Sequence, residues 1–303
     1  MSGAAVGFIG LGAMGRPMAA RAAGNGFPLH VLDADAALTG EVAAELGATR
    51  AATARAVAQG CDLIVTMLPT SDVVAAVLDG PDGVLAGLRP GALLIDMSSG
   101  APARTRELAA LVEAAGGRLV DAPVSGGVPR ARTGELAIML GGTDADAARA
   151  EPLLRSMGSS VTRTGGVGTA HAMKALNNLV SAGGFLIGIE ALLIGSRFGL
   201  DAGLMVDVLN ASTGMNNSTQ KKFRQYVLSR QFAAGFGLDL MVKDLGIAMG
   251  VARDTATPAP FAALCREMWA AAAAMLGPGQ DHTAVAKLSE RLAGSELSGH
   301  DGG

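Results

Sequence analysis

Along the first 165 residues, short apolar runs alternate with alanine-rich segments whose apolar positions recur every three to four residues. The runs at 5–9, 29–33, 63–68, 92–97, 118–121, 137–140 and 161–163 predict strands, and intervening segments such as 14–23 and 104–115 predict helices. A strand that reads as a continuous apolar run is buried on both faces, so the pattern implies an α/β fold: a Rossmann-type, doubly wound and mainly parallel sheet. From Thr169 onward the period of two disappears. The remainder predicts helices broken at Gly199, Gly214, Gly235 and the Pro258/Pro260 pair, an all-α domain entered through a long helix. The expected organisation is the α/β domain over 1–165, an all-helical domain over 166–294, and a mobile tail over 295–303, whose apolar content is too low to pack.

The stretch "HAMKALNNLV", 171–180, interrupts this pattern with a lysine and two asparagines inside an apolar helix. At about 100° per residue, His171, Lys174, Asn177, Asn178 and Ser181 form one stripe, with Met173, Leu176, Leu179 and Val180 outside it. Continued, the stripe becomes Phe185, Ile189 and Leu192, so its polarity is confined to about three turns. That is the signature of a local polar pocket rather than of a solvated face, although a snorkelling surface lysine gives the same letters. Only five of the 24 basic residues are lysines. An ammonium can surrender its proton when desolvated and a guanidinium cannot, which makes Lys174 a candidate acid/base. His171, one turn earlier, reads as a polar helix-start residue or as a second acid/base.

Composition narrows the partners. With 303 residues, half of them apolar, the chain can bury two cores, and a formal charge of −3 leaves no basic footprint for nucleic acid or an anionic membrane surface. Small molecules and copies of the same chain are the expected partners. The opening MSGAAVGFIG has no basic leader and runs into a strand, so a cytoplasmic location is expected. The window 176–195 approaches the length of a membrane span but carries Asn177, Asn178 and Glu190, and reads as a buried helix. Cys61 and Cys265 form no CxxC pattern, so neither a metal site nor a disulfide framework is expected.

"AVGFIGLGAMGRPMA" places Gly10-x-Gly12-x-x-Gly15 between a strand and a helix, the context in which such a turn binds a dinucleotide pyrophosphate. Gly10 permits the tight turn, Gly12 the approach of the phosphates and Gly15 the packing of helix on strand, with Leu11, Ala13 and Met14 as the intervening contacts. Asp33 closes the second strand, where a carboxylate accepts from an adenosine ribose and repels a 2′-phosphate; no arginine follows until Arg50. NAD is therefore expected in preference to NADP. As a plain turn former in "DAD", Asp33 would leave that choice open.

"GLGAMGRPMA", "DAPVSGG" at 121–127, "GTAHAMKALNN" at 168–178 and "LMVKDLGIA" at 240–248 resemble, in order and over nearly the whole chain, the signature stretches of the β-hydroxyacid dehydrogenase family, which includes 3-hydroxyisobutyrate dehydrogenase and tartronate semialdehyde reductase. The resemblance implies hydride transfer between nicotinamide and C3 of a short β-hydroxyacid such as 3-hydroxyisobutyrate or glycerate. It makes Lys174 the catalytic lysine and Asn178 the residue that orients it, with Asn177 beside them. Ser125, Gly126 and Gly127 become the loop that takes the substrate carboxylate. Met67, Leu68, Pro69, Ser99, Phe236 and Lys243 become cofactor contacts, and a homodimer or homotetramer is implied. An imine reductase of this architecture generally lacks the lysine, and a catalytically silent dinucleotide-binding scaffold would have no use for it. A phosphorylated substrate would call for a basic cluster that these motifs lack. Asn216, Asn217 and Ser218 in "STGMNNSTQKKF" read either as contacts to a polar substrate tail or as the cap of the next helix.

Overall fold

The computed structural model describes residues 5–298. The strands are β1 (Val6–Ile9), β2 (Leu29–Leu32), β3 (Thr49–Arg50), β4 (Leu63–Thr66), β5 (Leu93–Asp96), β6 (Arg118–Asp121), β7 (Val124–Ser125), β8 (Leu136–Gly141) and β9 (Gly158–Gly165). They form one sheet in which β3-β2-β1-β4-β5-β6 are parallel. The direction then changes: β8 runs antiparallel to β6 and β7, while β9 runs parallel to β8. The two-residue strands β3 and β7 escape the hydrophobic pattern because so short a run shows no period. The strand order reverses at β1 and β4, which both flank the crevice where open α/β sheets bind ligands.

Period-two alternation divides the strand side chains between two cores. Val6, Phe8, Val65, Leu93, Ile95 and Val120 face one layer of helices, and Ile9, Ile64, Leu94 and Leu119 the other. Each fully buried large side chain contributes about 1.5–3 kcal/mol, so covering both faces fixes the register of every central strand.

The contacts divide the chain into two compact units between Lys174 and Ala175, a few residues beyond the boundary expected from the sequence. The division falls inside one continuous helix, Thr169–Phe198. The second unit is helical, with the helices Ala202–Asn210, Asn217–Lys221, Leu238–Asp254, Pro260–Leu276 and Ala286–Ala293 and a π-helical turn at Phe223–Leu228. Its core centres on Phe185, whose ring meets Phe223 edge-on at 5.2 Å and Trp269 at 6.0 Å. The long helix is apolar enough to cross a membrane by length and composition, and half of its most apolar window is buried.

The tail expected to be mobile packs over its described part. Leu297 is buried, its N–H donates to Glu290 Oε1 at 2.9 Å and its carbonyl accepts from Arg230. Leu297 holds the described part of the tail, and residues 299–303 lie outside the described residues. Cys61 and Cys265 are buried and unbridged, and burial pushes their thiols up to about 12 and about 11.

Candidate active site

The glycine turn begins where β1 ends. Gly10 has φ +97°, and a Cβ there would lie 2.3 Å from the Met67 carbonyl oxygen. A Cβ at Gly15 would lie 1.9 Å from the carbonyl oxygen of Gly10, so the helix can start only against bare backbone. Gly12 is different. Nothing lies within 4 Å of where its Cβ would stand, and Gly12 and Ala13 are exposed at the open side of the turn. The helix Gly15–Gly24 follows, with Pro17 in its first turn, so unpaired N–H groups face that opening. The turn therefore fits a dinucleotide pyrophosphate: two glycines shape the backbone and one leaves room.

Asp33, at the end of β2, is tied to this turn. Its Oδ2 accepts from Leu11 N at 2.7 Å and its Oδ1 from Asp35 N at 3.0 Å. Leu11 has its side chain in the core and its N–H on Asp33, which leaves Gly12 and Ala13 as the accessible part of the loop. Asp35 caps the next helix through Ala37 N and Leu38 N.

The carboxyl ends of the strands are cross-braced. Met67 N donates to Ile9 O at 2.9 Å, and Leu68 N to Ser98 Oγ at 3.0 Å. Buried Asp96, which ends β5, accepts from Thr66 Oγ1 and from Ser98 N. Pro69 and Ser99 follow on the same edge. Asp121, which ends β6, turns outward from the sheet to accept from Gly168 N at 2.8 Å and from His171 N at 2.9 Å. This buried carboxylate caps the long helix at its positive end. The His171 ring completes the clamp, with Nδ1 2.7 Å from Thr105 Oγ1 and Nε2 2.9 Å from Ser98 O. Both ring nitrogens are engaged, so His171 anchors the helix. Ser125 sits in β7, and Gly126 and Gly127 follow with φ of +134° and +66°, exposed. Two successive positive-φ positions favour glycine and keep this turn free of side chains.

The long helix is inverted. Its polar stripe is the covered side: His171 is 1% and Asn178 7% exposed, and Lys174, Asn177 and Ser181 are half-buried. Its apolar side faces outward, with Met173 44% and Val180 76% exposed. In the helical unit, Asn178 Nδ2 donates to Asp244 Oδ2 at 2.6 Å, and Asn177 Nδ2 donates to Asn178 Oδ1 at 3.2 Å. Asp244 is buried, and its Oδ1 is 3.4 Å from Lys243 Nζ. The motif residues Asn178 and Lys243 thus meet around one carboxylate, Asp244, that sequence reasoning passed over although it stands next to Lys243, and Asn177 braces Asn178. Phe236 packs elsewhere, edge-on to His282 at 5.8 Å. Asn216 caps its own helix, accepting from Ser218 N and Thr219 N, so the capping reading of that segment is the one the structure adopts. Lys222, at the end of the same segment, carries its Nζ to 3.4 Å from Ser181 Oγ, a contact no local pattern announces. Among the described residues no three side chains gather as metal ligands.

A doubly wound sheet with this turn, joined through one helix to an all-helical unit, is the architecture of a nicotinamide-dependent oxidoreductase, and its relatives make it one acting on CH–OH. Residues 5–166 match the family described as the NAD-binding domain of 6-phosphogluconate dehydrogenase, and 168–289 that described as the NAD-binding domain of NADP-dependent 3-hydroxyisobutyrate dehydrogenase. The chain is 35% identical over 294 residues to 2-(hydroxymethyl)glutarate dehydrogenase of Eubacterium barkeri, covering 97% of each chain. It is 39% identical over 270 residues to mitochondrial 3-hydroxyisobutyrate dehydrogenase of Mus musculus, covering 87% of this chain and 80% of that one. Among solved structures it is similar to Mycobacterium tuberculosis 3-hydroxyisobutyrate dehydrogenase with L-serine, with a TM-score of 0.86, 33% identity and coverage of 94% of this chain and 98% of that one. The chain belongs to the β-hydroxyacid dehydrogenase family.

Proposed function

We propose that the protein oxidises C3 of a short β-hydroxyacid reversibly to the aldehyde or ketone, with Lys174 exchanging the hydroxyl proton. The observation that carries this reading is the inverted helix: a folded chain that covers its polar stripe and exposes its apolar one keeps the stripe for chemistry. Bound at the glycine turn, the nicotinamide cofactor supplies the hydride acceptor. Lys174 Nζ takes the proton from the substrate hydroxyl as hydride leaves, and in the reverse direction its charged form stabilises the developing oxyanion. Asn178, fixed by Asp244, holds the substrate and lysine in register, with Asn177 bracing it. Ser125 and the backbone of Gly126 and Gly127 receive the carboxylate. Met67, Leu68, Pro69 and Ser99 line the nicotinamide side of the sheet edge.

NAD is the proposed cofactor. Asp33 and Asp35 put two carboxylates at the end of β2, where a 2′-phosphate would be repelled. The substrate names of the relatives span acids with one carboxylate, as in 3-hydroxyisobutyrate, and with two, as in a hydroxymethylglutarate. A second copy of the chain is the proposed cover for the apolar side of the long helix. Met173, Val180, Ile187 and Ile194 recur there every seven residues, and Val180, Ile187, Ile194 and Phe198 are all more than half exposed. Light scattering that returns the monomer mass at micromolar concentration would reject the oligomer.

The deciding experiment measures NADH and NADPH formation by wild type and Lys174→Ala on 3-hydroxyisobutyrate, glycerate and 2-(hydroxymethyl)glutarate. Turnover of at least one acid with NAD, lost in the variant while NAD still binds, is the expected result. Binding of NAD without turnover of any acid would overturn it.

A further inference from the structure

The polar stripe does not end at Asn178. Ser181 continues it two turns after Lys174, about 10 Å along the helix. Its hydroxyl is approached by a second lysine, with Lys222 Nζ at 3.4 Å. Lys222 closes the helix Asn217–Lys221, its N–H bonded to Ser218 O at 3.0 Å, and that helix is pinned at its start by the Asn216 cap. Its backbone is thus held at both ends, and its side chain stands half-buried with the ammonium 6.0 Å above the Phe185 ring.

What surrounds this cation is unusual. Among the described residues no carboxylate lies within ion-pair distance of it; Asp281 is the acid whose field reaches it from further away. Burial pushes its pKa down, the response of an ammonium that has lost water without gaining a counter-ion. By contrast Lys243 has a carboxylate at 3.4 Å and Arg230 is paired with buried Glu290. A hydroxyl and an aromatic face compensate only part of the cost of removing a charge from water. Lys221, its neighbour, is exposed and needs no such compensation.

We propose that Lys222 is a specificity-determining residue whose ammonium, set beside Ser181 at the end of the polar stripe, takes a second anionic group of the substrate. This rests on the reading of Lys174 given above: along the one helix the reacting carbon belongs to Lys174, and the second anion to Lys222 beside Ser181, two turns further on. The substrate class is then a short β-hydroxyacid with a further carboxylate, or an equivalent oxyanion, a few bonds from C3, as on the C2 branch of 2-(hydroxymethyl)glutarate. A β-hydroxyacid ending in a methyl group leaves Lys222 unanswered and is bound less well.

The test compares two five-carbon acids that differ only in the second carboxylate. Calorimetry on wild type loaded with NADH should give glutarate at least tenfold tighter than pentanoate, and Lys222→Gln should remove that preference. Lys222→Met, which keeps the aliphatic stem over Phe185, serves where Gln does not fold. Lys222→Arg should retain part of the preference. Equal affinities in wild type, or a glutarate preference that survives Lys222→Gln or Lys222→Met, would overturn the assignment. In turnover, the ratio of kcat/KM for the diacid of the substrate panel to that for 3-hydroxyisobutyrate should fall at least tenfold in the variant. Should no acid be oxidised while glutarate binding still depends on Lys222, the reaction assignment falls and the anion site stands. Should 3-hydroxyisobutyrate be oxidised with no advantage to a second carboxylate, Lys222 falls and the reaction stands.

Discussion

At the glycine turn the functional groups are backbone N–H groups, and along Thr169–Phe198 they are side chains. The turn requires small residues at three fixed offsets because a Cβ would collide at Gly10 and Gly15 and would occupy open ligand space at Gly12. The helix requires partners from elsewhere: Asp121 to start it, Asp244 to fix Asn178, Ser98 and Thr105 to hold His171. A site made of backbone is specified locally. A site made of side chains is specified by whatever packs against it, and it can be altered one residue at a time.

Four substitutions set the two kinds of site against each other. The largest effect is expected for Lys174→Ala, which should lower kcat by about a thousandfold, within the usual range for a general acid/base. Binding of NAD, followed by calorimetry, should stay within about threefold. A parallel loss of NAD binding would show that helix and turn are not separable. Gly10→Ala should do the reverse. A left-handed φ and a Cβ 2.3 Å from Met67 O would introduce strain of about 1–3 kcal/mol, read as a lower urea midpoint and an NAD affinity weakened by about tenfold or more. Next comes Asp244→Asn, which replaces a charge-assisted hydrogen bond to Asn178 by a neutral one. A loss of about 1.5 kcal/mol predicts kcat/KM reduced by about tenfold, with kcat affected more than KM and Tm little changed. An unchanged kcat with a lowered Tm would make Asp244 a packing residue only. The smallest effect is expected for Asp33→Asn, which weakens the repulsion of a 2′-phosphate and should shift the NAD/NADP preference by about fivefold toward NADP, measured as the ratio of kcat/KM values.

The same distinction explains what the sequence disclosed. The parallel strands β1, β2, β4, β5 and β6 follow from apolar runs alternating with helices, and the turn from its three glycines. β7 was invisible because two residues carry no period, and β8 was legible as a strand at 137–140 but not as an antiparallel one, because strand direction is set by the loops. Lys174 and Asn178 stood out as polar letters in an apolar helix, and the family motifs supplied their roles. Asp244 was passed over because a lysine beside an aspartate looks like a solvated pair until a third residue is brought in from 66 positions away. Lys222 gave no signal at all. Its position depends on the cap at Asn216, and the sequence left open whether that asparagine capped a helix or touched substrate. Leu297 is the converse case, a single apolar residue buried among polar neighbours in the described part of the tail.

The clamp on the long helix has a further consequence. Asp121 and His171 fix the phase of the helix at its first turn, and Lys174 is counted from there. Inserting one residue between His171 and Lys174 would swing the ammonium by about 100° while every helical hydrogen bond could reform. Those few residues work as a vernier, and natural variation should tolerate substitutions in them far better than changes in length. Beyond Asn178 the phase is already set, so substrate range can drift at Ser181 and Lys222 while the chemistry stays put.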